Sequence, residues 1–432
     1  MDVHVVSKAN NEQHTSFTLP RTSSLILGLR PFSIRVRTVF VSLTSNNLGY
    51  ARGGHFLHWW DAYPVPNTSP PPYNDDSSWG IVPAWGYAVV IESTTQIPQG
   101  TVIWGFWPTS TVPVHLKLKA AEPRGQWIEI SEHRQRLMHL YNRYIELPRP
   151  PVSILSLDFG KDELETMAWN ALFRGVWEGS YLLNQYVFSP NPDIQPPIHP
   201  LGMGMSWTAS DADLSSAILV SLSASGKTAR SFAYHVSHRP SSAGPLGLLQ
   251  VTSSPSPIAE AAEAFKSAYP TRTIAYSEIS ESLDWMVSLR ASKMVVLDFG
   301  SRDTALDHLL ESTKNHPVLQ SSKIVIIQVG NQQKVYTNEE MFAAREAMSR
   351  LGKVQYNTSG VQDTVMQSVG AESYFSTLNP LWNQWLRDRP RSIPDLQIEW
   401  GQGISGTGGI EGGWKRLCQG QVNADEGLVY RM

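Results

Sequence analysis

Three stretches of this sequence carry side chains whose types and spacing could do chemistry. The first is SLSASGKTARS (221–231), where a strongly apolar run, AILV, gives way to a helix-like run. Gly226, Lys227 and Thr228 match the end of a phosphate-binding P-loop, but that motif needs another glycine where Ser221 stands. The missing glycine matters because such a loop curls its N–H groups around phosphate through positive φ angles. MVVLD, ending at Asp298, would supply the acidic strand end of a nucleotide triphosphatase. The same stretch also reads as a strand-to-helix turn that aims a helix N-terminus at a pyrophosphate. Ser223, Ser225, Gly226, Lys227 and Thr228 would then hold the anion, although only Gly226 of the G-x-G-x-x-G pattern is a glycine. A third reading leaves the turn as a connection that binds nothing. The next strand ends in Thr252, Ser253 and Ser254. No carboxylate stands there for a ribose 2′-OH, and a hydroxyl-rich end suits a 2′-phosphate, which favours NADP over NAD.

The second stretch is GGHFLHWWDAYP (53–64). His55 and His58, with Asp61 nearby, form a candidate acid–base cluster. The spacing H-x-x-H-x-x-D also invites a metal, but a metal needs converging ligands and a second shell that the sequence does not display, so none is assigned. Phe56, Trp59, Trp60 and Tyr63 would wall an apolar substrate pocket, or pack as a loop on their own domain. The third stretch follows the strand 36–42. Tyr50 is a candidate general acid and Asn47 a candidate oxyanion donor; the alternative is a Tyr packed with its hydroxyl satisfied.

These residues need elements to position them. Residues 1–150 read as β-rich. SIRVRTVFVS (33–42) alternates, with Ile34, Val36 and Phe40 opposite Arg35 and Arg37. WGYAVVIES (85–93), GTVIWGF (100–106) and RYIEL (143–147) are further strands. His115, Lys117, Lys119, His133 and His139 read as a solvated connecting stretch. Residues 151–210 read as a helical connector. From Leu214 strands and helices alternate: AILVS, KTARSFAYHVS, GLLQVTSS, PIAEAAEAFKSAY, TIAYS, SESLDWMVSLR, KMVVLDFG, DTALDHLLEST, KIVIIQVG and TNEEMFAAREAMSRLG. That rhythm means a mostly parallel sheet covered on both faces. The stretch from Ser373 is Trp-rich and ends in a Gly-rich tail, GQGISGTGGIEGGW (401–414), which reads as a lid or as tight turns.

Composition narrows the function. At 432 residues and 41% hydrophobic, the chain can build two or three domains with a large core. Lys+Arg 35 against Asp+Glu 38 leaves a net charge of −3, which gives no electrostatic case for nucleic acid or an anionic membrane. The single cysteine, Cys418, excludes an internal disulfide and Cys-based structural zinc. The first residues, MDVHVVSKANNEQHTSF, hold no apolar signal region, so a cytoplasmic protein is expected. Fifteen tryptophans suit aromatic-walled pockets and large core fillers alike.

The order of parts carries a resemblance. VRTVFVSLTSNNLGYARG (36–53), WGYAVVIESTTQIPQGTVIWGF (85–106), AILVSLSASGKTARSFAYHV (217–236), VVLDFG and KIVIIQVG are similar, in sequence order, to segments of the medium-chain dehydrogenase/reductase superfamily. The resemblance is to its zinc-free quinone-oxidoreductase and enoyl-reductase branch, and more narrowly to a fungal family of unknown function related to it. It implies a GroES-like β-rich substrate domain over 1–150. A helical connector and a Rossmann-like, doubly wound parallel-sheet nucleotide-binding domain would follow over 151–372, with a return to the first domain over 373–432. It further implies NADPH as cofactor and zinc-independent reduction of an α,β-unsaturated or carbonyl substrate, of the kind met in polyketide-type secondary metabolism. A homodimer is also implied. Thr228 departs from the family, which has a glycine there. That departure keeps open a redox-inactive cyclase or isomerase of a reactive polyene or enone, and a non-enzymatic interaction protein.

Overall fold

The computed structural model describes residues 1–20, 28–154, 156–202, 205–302 and 304–432. Asp303, the first residue of the expected helix DTALDHLLEST, lies outside the described residues. The chain divides into two compact units. One comprises Met1–Leu172, Gln333–Val335 and Gln397–Met432; the other comprises Phe173–Gln332 and Tyr336–Leu396.

The first unit opens with β1 (Asp2–Ser7), β2 (His14–Thr18), β3 (Ser33–Leu43), helix α1 (Ser45–Gly53), β4 (Trp79–Gly80) and β5 (Pro83–Ser93). It continues through β6 (Val102–Pro108), β7 (Val114–Ala121), β8 (Gln126–Glu129) and β9 (Arg143–Glu146) to α2 (Lys161–Leu182). The second unit contains α3 (Ala209–Ala212), β10 (Ala217–Leu222), α4 (Lys227–Ser237), β11 (Gly247–Thr252), α5 (Pro255–Phe265) and β12 (Thr271–Ala275). After these come α6 (Leu283–Ser288), β13 (Lys293–Phe299), α7 (Ala305–Asn315), β14 (Lys323–Gly330), α8 (Asn338–Arg350), β15 (Val354–Gln355), α9 (Thr358–Val369) and α10 (Ala371–Ser392). The first unit is completed by β16 (Gln397–Gln402), α11 (Ile410–Cys418) and β17 (Glu426–Arg431).

The first unit is built around β3. This strand pairs antiparallel with β5 along one edge. Along its other edge it pairs with β7 through Ser33–Val36 and with β17 through Phe40–Leu43. The pairing with β7 closes the order β3-β5-β6-β9-β8-β7 on itself, so the sheet is barrel-like. Two register shifts, at Arg35/Val36 and Thr38/Phe40, bend β3 enough to serve both partners. Arg35, on the face opposite Ile34 and Val36, is also buried, 3% exposed and paired with Glu92 and His115. Of the stretch expected as a connection, the part holding His115, Lys117 and Lys119 is strand β7. Its Leu116 and Leu118 are buried while His115, Lys117 and Lys119 face out, the alternation of a half-buried strand.

Gly86 fixes how closely β5 approaches β3, because a Cβ there would lie 2.0 Å from the Phe40 carbonyl oxygen. Val36, Val41, Ala88, Ile103, Phe106 and Trp107 fill the interior of this unit.

The second unit is a six-stranded parallel sheet of order β12-β11-β10-β13-β14-β15. Its central strands are apolar runs buried throughout, as a sheet covered on both faces requires. The fold is therefore α/β: a β-rich barrel-like unit and a Rossmann-like doubly wound sheet. Among the described residues, no helix is long and apolar enough to cross a membrane.

Two predictions follow from this packing. Gly86→Ala is expected to cost about 3 kcal/mol, read as a lower urea midpoint. An unchanged midpoint would mean that β3 and β5 are not this close. Burial holds His4 and His235 each down at about 3, from an ordinary 6.5. Both rings are therefore neutral in the fold, whereas an unfolded chain protonates them below about pH 6.5. Their contribution is complete above pH 6.5 and is lost as pH falls toward 3. Proton uptake on unfolding near pH 5 should drop by about two in the double variant His4→Gln/His235→Gln; an unchanged uptake would place both rings in solvent.

Candidate functional site

In an open parallel sheet, ligands gather at the carboxyl ends of the strands where the strand order reverses. Here that place lies between β10 and β13, which are hydrogen-bonded neighbours whose following helices go opposite ways. The turn from β10 to α4 is Ser223-Ala224-Ser225-Gly226. Ser221 lies inside β10 and is 2% exposed. The phosphate-wrapping loop expected of a P-loop is therefore absent here: four residues remain after the strand, too few to encircle a triphosphate.

The turn is short and tightly pinned. Ala224 N–H donates to the Val251 carbonyl at 3.0 Å and Gly226 N–H to the Ser223 carbonyl at 3.0 Å. Ser223 takes a φ of 62°, a left-handed conformation usually left to glycine. Gly226 is the N-cap of α4 and, being glycine, offers no side chain to cap it. The positive end of the helix dipole lies at this turn. The first turn is held from behind: Ser180 Oγ donates to the Thr228 carbonyl at 2.8 Å, and Arg230 pairs with Asp395. Lys227 and Thr228 are half-buried at the head of the helix, and Ser225 is 8% exposed.

The hydroxyl-rich end of β11 splits into unlike positions. Thr252 is fully buried, and its Oγ1 accepts from Ser254 N–H at 3.2 Å, so this residue shapes the backbone and does not face a ligand. Ser253 is exposed and Ser254 half-buried at the N-cap of α5.

The end of β13 is as constrained. Asp298 Oδ1 accepts from Gly300 N–H at 3.0 Å and from Ser301 N–H at 2.8 Å, while Oδ2 lies 3.7 Å from Lys353 Nζ. This carboxylate closes a turn and balances a lysine; it does not point outward as a magnesium ligand would. Gly300 has a φ of 106°, and a Cβ there would sit 2.4 Å from the Asn331 carbonyl oxygen, so the ends of β13 and β14 meet through glycine.

Sequence reasoning missed Tyr276, which follows β12. Its hydroxyl lies near Ser223, and the Arg302 guanidinium lies over its ring at 5.9 Å. The ring thus crosses the end of β11 and borders the turn. Burial raises its pKa, so it remains a neutral phenol. A lone Tyr after a strand carries no pattern that would have singled it out.

In the first unit, the residues expected on a turn lie on helix α1. Asn47 is its third residue and completes a capping box with Thr44. Its Oδ1 accepts from Thr44 N–H at 2.8 Å, and its Nδ2 donates to the Pro83 carbonyl at 2.9 Å. The side chain, 2% exposed, builds the helix start. Tyr50 is 7% exposed, its hydroxyl accepts from Trp85 Nε1 at 3.0 Å, and its ring packs edge-on against Trp59, Phe106 and Tyr141. Burial pushes this phenol up to about 12, a reluctant acid at neutral pH. His55 is exposed against Phe56. His58 is different: its Nδ1 lies 3.1 Å from Asp61 Oδ2, which leaves Nε2 for proton transfer. Among the described residues, no three His, Cys, Asp or Glu side chains gather as a metal ion requires.

A family model described as "Protein of unknown function (DUF2855)" matches residues 41–423. The chain belongs to this family. No curated protein matches the sequence. Among solved structures, the chain is similar to CurA from Vibrio vulnificus in complex with NADPH, at 10% identity and a TM-score of 0.51, covering 100% of this chain and 99% of that one. It is also similar to the CurK enoyl reductase, at 13% identity and a TM-score of 0.49 with the same coverage. The mitochondrial 2-enoyl thioester reductase Etr1p/Etr2p heterodimer from Candida tropicalis has the same coverage, 10% identity and a TM-score of 0.49. At 10% identity, the likeness of this DUF2855 chain to CurA is one of fold.

The turn at Asp298 is testable. Asp298→Ala strands two half-buried N–H groups and should lower stability by roughly 2 kcal/mol in denaturant unfolding. Asp298→Asn keeps an acceptor and should cost less. Unchanged stability in both, with magnesium-dependent phosphate release from ATP by the parent chain, would restore the triphosphatase reading.

Proposed function

We propose that this chain is an NADP(H)-binding oxidoreductase of the medium-chain reductase type, acting without zinc on an α,β-unsaturated or carbonyl substrate. The observation that carries the reading is the glycine-started N-terminus of α4 at the switch point of a doubly wound sheet. The residues present fit a pyrophosphate there. Gly226 carries no side chain between the turn and a ligand, and Lys227 adds a cation beside the first helical N–H groups. Ser253, exposed and with no carboxylate beside it, suits a 2′-phosphate better than a bare ribose. The NADPH held by CurA, whose fold this chain shares, supports the same reading.

The bound nicotinamide would supply the hydride. The chain's part is to orient the dinucleotide on α4 and to stabilise charge on the substrate. His58, backed by Asp61, is our proposed proton donor. Asn47 and Tyr50 support that unit from its interior. Reduction of an enoyl or carbonyl intermediate in polyketide-type metabolism, in the cytoplasm and as a homodimer, is the wider form of the proposal.

A redox-neutral reading on the same fold, as a cyclase or isomerase, is favoured by one observation. Ser223 holds a left-handed backbone with a side chain attached, and Thr228 stands where a glycine would let a pyrophosphate come closer. Titration with NADPH and NADH, followed by energy transfer from tryptophan to nicotinamide, separates the two. We expect saturable NADPH binding, weakened about ten-fold by Lys227→Ala. Ser253→Ala should weaken NADPH more than NADH. No binding at high micromolar cofactor would remove the reductase and leave redox-neutral chemistry.

A further inference from the structure

At the carboxyl edge of the parallel sheet, the strand registers bring the ends of four strands level. Thr252 pairs with Ala275, so Ser253, just past β11, stands beside Tyr276, just past β12. Leu222 pairs with Val251 on one side and with Asp298 on the other, which puts Ser223 and the turn after β13 on the same edge. That last turn is fixed. Asp298 Oδ1 accepts from the Gly300 and Ser301 N–H groups, and Gly300 is seated against the Asn331 carbonyl. The next residue, Arg302, therefore leaves from a set point. Its guanidinium lies 5.9 Å from the centre of the Tyr276 ring. With the strand order β12-β11-β10-β13, that contact carries the cation over the ends of β10 and β11.

Arg302 is exposed, and among the described residues it makes no ion pair and no hydrogen bond. Asp298 and Glu278, the carboxylates that border these turns, are engaged. Asp298 holds its own turn and faces Lys353, and Glu278 accepts from the Ala275 N–H at 2.6 Å. Burial keeps Tyr276 a neutral phenol, so its ring seats the cation without neutralising it. A guanidinium lying on an aromatic face keeps its in-plane N–H groups for an acceptor. Beside it, Ser253 offers a hydroxyl and no charge. A phosphate dianion at Ser253 needs a cation as well as that hydroxyl, and Arg302 is placed to be it.

We propose that Arg302 reads the 2′-phosphate of the dinucleotide through a fork of two N–H groups, with Tyr276 as its positioning residue. This role rests on the oxidoreductase reading above and adds to it the charge that selects NADP(H) over NAD(H). Lys227 stands at the head of α4, beside the pyrophosphate that both cofactors share, and does not make that choice.

The test is titration of the full chain with NADPH and NADH, followed by energy transfer from tryptophan to nicotinamide. Arg302→Gln should weaken NADPH at least about ten-fold and leave NADH within about two-fold. Arg302→Lys keeps the charge without the fork and should fall between parent and Arg302→Gln. Tyr276→Leu removes the aromatic seat and should lower the preference for NADPH by about three-fold. Arg302 is exposed, so its variants should keep the parent's thermal midpoint. A parent chain that binds NADPH, with the same preference in Arg302→Gln, would overturn the role of Arg302 and leave the reductase reading standing. An equal loss of both cofactors would also overturn it, since the guanidinium would then meet a part that the two share. A parent chain that binds neither cofactor would remove the reading and this role together.

Discussion

The parallel pairing of β10 on both sides is the constraint from which the candidate crevice follows. A strand hydrogen-bonded to β11 and β13 has no free edge, and its side chains are buried on both faces. Its only polar outlet is its carboxyl end. The chain must reverse there at once, because α4 has to return over the sheet. The reversal falls on Ser223, whose left-handed backbone makes the turn, and Ala224 ties the turn to β11. The same tightness puts a glycine, which has no capping side chain, at the N-cap of α4. The anion-seeking end of the helix is thus a by-product of how a buried parallel strand must exit.

Much of this was legible in the sequence, because buried parallel strands are short apolar runs and amphipathic helices separate them. AILVSL, GLLQVT, KMVVLDF and KIVIIQVG are all strands of one sheet. The barrel-like unit was legible in part. β7 was mistaken for a connection since three of its side chains are basic, although Leu116 and Leu118 alternate with them as a half-buried strand requires. The N-terminus of α1 was hidden for a different reason. Thr44 and Asn47 form a capping box with Asn in the place usually taken by Glu or Gln, so the signature was faint. At the crevice, residue type could not separate Thr252 from Ser253, since both are hydroxyls at a strand end; burial does. Tyr276 reaches Ser223 across another strand, a relation set by strand order and not by local pattern.

The tryptophans illustrate how one residue type serves two purposes. Trp107, Trp177, Trp385 and Trp414 are among the largest fully buried side chains and act as bulk. Trp85 and Trp104 stack with ring centres 4.7 Å apart, and Trp85 Nε1 donates to the Tyr50 hydroxyl, making an aromatic layer. Trp60, also buried, lines a cavity, and Gly54 and Gly80 hold its ring in place. Composition alone cannot distinguish a cavity-lining tryptophan from a filler, because the difference lies in what stands opposite the ring.

The shared edge of β3 has a consequence for biosynthesis. One half of that edge is covered by β7, close by in sequence, and the other half by β17, nearly four hundred residues later, with Met432 N–H adding a bond to the Val39 carbonyl at 3.0 Å. As the chain leaves the ribosome, the six-stranded parallel sheet is complete in sequence while Phe40–Leu43 still present open backbone groups. The nascent first unit therefore carries an exposed strand edge for as long as it takes to translate everything in between. A ribosome that stalls before Glu426 releases a chain with that edge unpaired, which marks it for chaperones or for aggregation.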